Sequence, residues 1–242
     1  MRAEAELEFR DASGVGAMLF DPTLLMRADP SLFDPAANAQ AVPVGGRGAA
    51  WFVQTDAGEA VLRHYRRGGM AARISRASYL WQGSQRTRSF REFRLLQELR
   101  ALALPVPTPL AAGYWRSGTG YRAALLMLRL IGTESMGERL DRGGAVPWGA
   151  VGHAIARFHR AGACHADLNV DNVLMDGHDH CWLIDFDRGV LRKPALGWQC
   201  ANLARLRRSL RKRIGARADG PEGVNGWDAL LGGWNDGLRE GG

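Results

Sequence analysis

The sequence predicts an α+β fold of two lobes. Three observations carry that prediction: short β-like runs crowd the first half, one amphipathic helix interrupts them, and helices dominate the second half. The chain has 242 residues, enough for one or two domains with a real core. Its 46% apolar and 24% charged residues place it among folded chains rather than disordered ones.

Residues 1–40 are weakly patterned and carry the turn signals Asp21-Pro22, Asp29-Pro30 and Asp34-Pro35, so they read as an irregular lead-in. From Val42 the pattern changes. A glycine cluster, Val44-Gly45-Gly46-Arg47-Gly48, precedes Trp51-Phe52-Val53. A turn at Asp56-Ala57-Gly58 then leads to Ala60-Val61-Leu62-Arg63-His64-Tyr65, which spells strand, turn, strand. Ser89 to Leu104 reads as a helix, with Phe90, Phe93, Leu96 and Leu99 at helical spacing. The prolines from Pro105 to Pro109 stop it. Ala123 to Leu130 suits a buried strand, and Trp148 to Ala161 a second amphipathic helix. Val173-Leu174-Met175 and Cys181-Trp182-Leu183-Ile184 form a hairpin about Asp176-Gly177-His178-Asp179. A boundary near residues 130–134 divides an N-terminal lobe, 1–131, from a C-terminal lobe, 132–242.

The formal charge is +7 and the pI near 10.0, so the surface attracts anions. The positive charge is almost all arginine. The two lysines are Lys193 and Lys212, which excludes lysine-dependent chemistry upstream of residue 193. Three cysteines without a framework spacing point to a reducing compartment. The opening MRAEAELEFR lacks the apolar stretch of a signal peptide. The longest apolar run, Ala123 to Leu128, falls far short of the about 20 residues that span a bilayer. A peripheral seat on a membrane stays open. Charge alone, without a recognition motif, does not make a nucleic-acid binder.

The strongest chemical signal is His165-Ala166-Asp167-Leu168-Asn169-Val170-Asp171-Asn172, a loop after a helix. Asp185, in Ile184-Asp185-Phe186-Asp187, follows at the end of a strand. Phosphoryl transfer needs a carboxylate to take the hydroxyl proton and oxygen ligands to hold Mg²⁺ on the phosphates. Asp167 suits the first role. Asn172 and Asp185 suit the second, because Mg²⁺ prefers carboxylate and amide oxygens.

At these residues the chain resembles the protein-kinase superfamily, whose loop reads H-R-D-x-x-x-x-N and whose metal strand reads D-F-G. Here they read H-A-D-L-N-V-D-N and D-F-D, with the spacing kept. The resemblance implies a two-lobed kinase fold whose N-lobe is an antiparallel sheet with one helix. It assigns Gly45, Gly46, Arg47 and Gly48 to the loop over the ATP phosphates. Arg63 falls in the place of the third-strand lysine, and Glu92 in that of its helix partner, with Glu98 as the rival. Only 57 residues follow Asp185 and no A-P-E element appears, so a small-molecule or glycolipid acceptor is expected rather than a protein.

The stretches Leu62 to Gly69, Arg86 to Leu96 and Trp182 to Gly189 sharpen the resemblance. They are similar to the 3-deoxy-D-manno-octulosonic acid (Kdo) kinases among the lipopolysaccharide-core kinases, over roughly residues 41–215. That resemblance implies ATP and Mg²⁺ as cofactors and transfer to the 4-hydroxyl of Kdo on a lipid A precursor. It also implies a peripheral position on the cytoplasmic face of the inner membrane. Arginine in the lysine place and D-F-D are habits of that group.

Arg188, Arg192 and Lys193 are candidates for the anionic acceptor, and Arg205, Arg207, Arg208, Arg211, Lys212 and Arg213 offer further positive charge for it or for anionic lipids. Leu203, Leu206, Leu210 and Ile214 line one side of the last segment, as in an interfacial helix or in one packed on the core. His178, His180 and Cys181 fit no usual zinc spacing and read as a polar hairpin tip. Cys164 beside His165 reads as an inert thiol. The sequence leaves open an aminoglycoside- or choline-kinase-type phosphotransferase and a membrane-bound pseudokinase.

Overall fold

A computed structural model describes residues 4–11, 14–35, 39–42, 50–65 and 79–240. The chain separates into two compact units. The first holds Met1–Gln97 and Pro107–Arg129, the second Glu98–Val106 and Leu130–Gly242.

The first unit is an antiparallel sheet with one helix. Its strands are β1 (Ala5–Asp11), β2 (Gly14–Phe20), β3 (Gln40–Ala41), β4 (Ala50–Thr55), β5 (Gly58–His64), β6 (Tyr79–Leu80), β7 (Pro109–Ser117) and β8 (Gly120–Leu128). They run in the order β1-β2-β7-β8-β5-β4-β3, with β6 also on β8. The sequence expectation for residues 1–40 is corrected here: β1 and β2 form a hairpin paired from Ala5↔Phe20 to Asp11↔Gly14, and β2 pairs with β7. The alternation Leu7, Glu8, Phe9, Arg10 and the buried run Ala17, Met18, Leu19 hold the signal that the Asp-Pro turns obscured.

The turns themselves fold back over the sheet. Asp29 caps a 3₁₀ turn, Pro30–Phe33, accepting from the Ser31 N–H. The buried Phe33 ring meets Trp115 edge-on at 5.4 Å and packs with Met18, Leu62, Ala111 and Leu126. Helix α1 (Arg88–Ala101) buries Phe90, Phe93, Leu96 and Leu99, and Phe90 meets Tyr114 at 5.2 Å. Each such aromatic contributes about 1.5–3 kcal/mol by leaving water. The helix ends short of the expected Leu104, because Ala103 takes a left-handed turn (φ 54) before the prolines.

The second unit is mainly helical. It holds β9 (Glu134–Ser135), α2 (Met136–Asp141), α3 (Trp148–Arg160), β10 (Ala163–Cys164), β11 (Val173–Met175), β12 (Cys181–Leu183), β13 (Val190–Leu191), α4 (Leu196–Ile214) and α5 (Pro221–Arg239). Ser135 and Glu138 form a capping box that starts α2. Helices α3 and α5 run side by side in the same direction at very close range. A Cβ on Gly152 would collide with the Leu230 carbonyl, and one on Gly233 with the Gly149 carbonyl. Helix α4 turns Leu203, Leu206 and Leu210 into the core, so its apolar side serves packing rather than a membrane interface. Among the described residues no helix is long and apolar enough to cross a membrane.

Candidate active site

In the second unit the loop 165–172 joins β10 to β11, and Asp185 follows β12. β11 and β12 pair in register, Val173↔Leu183. The ladder continues past the strand ends, because the Ile184 N–H donates to the Asn172 carbonyl at 3.1 Å. That single bond brings the loop asparagine and the strand-end aspartate beside one another.

His165 organises the loop. It is buried, and Asn202 of α4 grips its backbone at both ends: the His165 N–H donates to Asn202 Oδ1 at 3.2 Å, and Asn202 Nδ2 donates to the His165 carbonyl at 3.0 Å. Its Nδ1 accepts the Asp167 N–H at 3.0 Å, which leaves Nε2–H to donate to the Ile184 carbonyl at 2.9 Å. Burial pushes the imidazole pKa down, and the neutral ring is the form this bonding needs. The carboxylates of Asp167 and Asp185 both act electrostatically on this one ring, so both lie near it. The ring also packs on Phe186 at 4.7 Å, and Phe186 stacks on Phe158 at 5.7 Å. The phenylalanine of the Asp-Phe pair thus anchors Asp185 to α3.

Asn169 and Asn172 complete the loop. Both donate side-chain amides to the Asp167 carbonyl at 3.0 Å, and Asn169 Oδ1 accepts the N–H groups of Asp171 and Asn172. Because the Asn172 nitrogen is used, its Oδ1 is the atom left to face a ligand. Asp185 sits at φ 61, a left-handed conformation that a non-glycine residue adopts at a cost of about 1–3 kcal/mol and that clusters at functional sites. Asp167 presents its carboxylate outward, its side chain 61% exposed, with Arg205 Nη1 at 3.2 Å.

In the first unit, β5 and α1 bring two further candidates together. Arg63 pairs with Glu92 at 2.5 Å, and Glu92 is 2% exposed. The Tyr65 hydroxyl donates to the same Glu92 oxygen at 2.6 Å while the Arg63 guanidinium lies over the Tyr65 ring at 4.8 Å. Burial, and then the Glu92 charge, drive the Tyr65 pKa well up, so the phenol stays protonated as a donor. Gly45, Gly46, Arg47 and Gly48 lie outside the described residues.

Arg188, Arg192 and Lys193 are exposed and have no acidic partner among the described residues; Arg192 lies over the Trp198 ring at 5.8 Å. Arg211 pairs with Asp219, Arg213 bridges Asp141 and Asp171, and Arg207 covers Trp227. His180 bonds Asp176 at the hairpin tip, and Cys181 is buried with its thiol pushed up to about 12. Sequence reasoning missed Asn202 as the clamp on His165, Tyr65 as the third member of the Arg63–Glu92 group, and the Arg205–Asp167 contact. No local pattern announces contacts that span 27 to 38 residues.

A sheet-and-helix unit with a buried Arg–Glu pair, and a helical unit that gathers an aspartate, an asparagine and a strand-end aspartate about one loop, define the protein-kinase-like phosphotransferases. Comparison with known proteins narrows this class. The chain belongs to the lipopolysaccharide kinase (Kdo/WaaP) family, whose model matches residues 37–222. It is 57% identical, over 219 residues, to the 3-deoxy-D-manno-octulosonic acid kinase of Xanthomonas axonopodis pv. citri, spanning 89% of this chain and 88% of that one. It is 56% identical to the kinase of the same name from Xanthomonas euvesicatoria pv. vesicatoria and 54% to that of Stenotrophomonas maltophilia, over the same shares of each chain.

Proposed function

We propose that this chain transfers the γ-phosphoryl group of ATP to the 4-hydroxyl of Kdo on a lipid A precursor, as a step in building the lipopolysaccharide core. Family membership, with relatives named as Kdo kinases over nearly the whole chain, supports the reading most.

Asp167 accepts the proton of the acceptor hydroxyl as the phosphoryl group arrives. The two amides on its carbonyl and the His165 ring on its N–H fix its backbone, so the carboxylate is aimed without depending on a flexible loop. Asn172 Oδ1 and the Asp185 carboxylate are hard oxygen donors and fit a Mg²⁺ ion. An ion held by these two residues would supply positive charge against the ATP phosphates. Arg63 holds phosphate oxygens with its fork, kept in place by Glu92 and Tyr65. The glycine cluster Gly45, Gly46, Arg47 and Gly48 is assigned to ATP binding from its sequence alone. Arg188, Arg192 and Lys193 meet the anionic acceptor or the anionic membrane surface, and the chain sits peripherally on the cytoplasmic face of the inner membrane.

Mass spectrometry and phosphorus NMR of the product formed from a Kdo–lipid A precursor with ATP and Mg²⁺ test the assignment. One phosphate on the 4-hydroxyl is expected. Free aminoglycoside or choline turning over faster than the Kdo lipid would overturn it.

A further inference from the structure

Beside Asp167 the second unit holds a cavity of about 390 Å³, within the about 300–1,000 Å³ of small-molecule sites. Its wall is the side of α4 that carries Trp198, Ala201, Arg205 and Arg208. The other wall is the start of the loop, Cys164 to Ala166. Trp198, Ala201, Arg205 and Arg208 recur at helical spacing opposite the buried Leu203, Leu206 and Leu210, and Asn202 and Ala204 flank them on the same wall, so the helix turns its leucines to the core and two arginines to the cavity. The two arginines differ from their neighbours. Arg211 and Arg213 are committed to acids of the chain itself, whereas Arg208 has no acidic partner among the described residues. Arg205 uses one nitrogen on Asp167 at 3.2 Å, and a guanidinium has five N–H donors.

We propose that this cavity receives the carboxylated sugar of the acceptor, with Arg208 and Arg205 binding its carboxylate and Trp198 flooring the ring. This rests on the reading of the chain as a Kdo kinase, since an octulosonic acid carries one carboxylate beside its hydroxyls. The geometry gives a reason for the arrangement. Arg205 reaches the base and lines the cavity, so a carboxylate held on the arginine pair brings a hydroxyl of the same sugar ring toward Asp167. A planar fork suits a carboxylate better than an ammonium does. The subsite recognises a sugar acid near the base and leaves the lipid chains outside it.

The test uses the full chain, a Kdo–lipid A precursor, and the same precursor with the Kdo carboxylate converted to an amide. Arg208→Gln is expected to raise the acceptor KM about 10- to 100-fold, the loss of one charge-assisted bond, with the KM for ATP near wild type. Arg208→Lys recovers part of that loss. On the amide acceptor the wild type falls to the level of Arg208→Gln, and the substitution costs little more, because the two changes remove the same contact. The acceptor also slows alkylation of Cys164, which lines the cavity, and leaves the exposed Cys200 reacting at its original rate. An unchanged acceptor KM in Arg208→Gln, with the wild type turning over, overturns the subsite and spares the function. A rise confined to the KM for ATP overturns it too, by giving the cavity to the nucleotide. A wild type that does not phosphorylate the precursor overturns the function, and the subsite with it.

Discussion

Asn172 donates its side-chain amide to the main-chain carbonyl of Asp167 at 3.0 Å, so the residue proposed to hold the metal also sets the backbone of the residue proposed as base. Asn172→Asp keeps an oxygen ligand and loses the donor, leaving the Asp167 carbonyl short of one partner and facing a new negative charge. Turnover is expected to fall at least about 100-fold, and urea unfolding to register a loss of about 1–3 kcal/mol. Wild-type stability in that variant would show that the bond positions nothing.

The Arg63–Glu92–Tyr65 group predicts a graded series. Arg63→Ala removes a cation paired with a carboxylate that is 2% exposed, which should cost about 3–5 kcal/mol in chemical denaturation. Tyr65→Phe removes one hydrogen bond to the same oxygen and should cost about 1.5–3 kcal/mol. Glu92→Gln keeps the shape and should weaken ATP binding through a misplaced Arg63, read as a rise in the KM for ATP.

Two buried histidines make the fold sensitive to mild acid. Burial lowers the His159 pKa from 6.5 to about 4, and its Nδ1 accepts the Trp234 indole N–H at 2.9 Å; burial lowers His165 likewise. In both cases the unfolded chain binds more protons than the folded one as pH falls. The stabilisation is therefore complete above the unfolded pKa and is lost as pH falls below it; for His159 the window runs from 6.5 toward about 4. His159 alone should account for about 2 kcal/mol between roughly pH 7 and pH 5, from about 1.4 kcal/mol per pKa unit. Urea unfolding at the two pH values checks this, and His159→Gln should flatten the slope.

Gly152 marks the tightest crossing of α3 and α5. A methyl there meets backbone atoms that do not yield, so Gly152→Ala is expected to cost about 3 kcal/mol or more in thermal unfolding. Gly177→Ala, at the hairpin tip with open space around it, should change stability by less than about 0.5 kcal/mol.

Much of this architecture was legible before any coordinates, for reasons that differ by element. The hairpin β11–β12 and helices α1 and α3 declared themselves because period and punctuation agreed. The Asp167, Asn172 and Asp185 set was legible because short connections enforce the spacing. Residues 1–40 were misread because the Asp-Pro turns are real but all follow two true strands, β1 and β2, and a strand one residue in two apolar is a weak signal beside a run of such turns. Long-range partners were out of reach: nothing in the neighbourhood of Tyr65 names Glu92, and nothing near Asp167 names Arg205 or Asn202. The apolar side of α4 fitted two environments equally well, and only packing on the core decided between them.

The central claim is that Asp167 takes the proton from the acceptor hydroxyl. Turnover of the Kdo–lipid A precursor by Asp167→Asn, measured at saturating ATP and Mg²⁺ alongside nucleotide affinity, tests it most directly. The account predicts a loss of about 100- to 10,000-fold in kcat with nucleotide affinity retained. A variant turning over at the wild-type rate would contradict it.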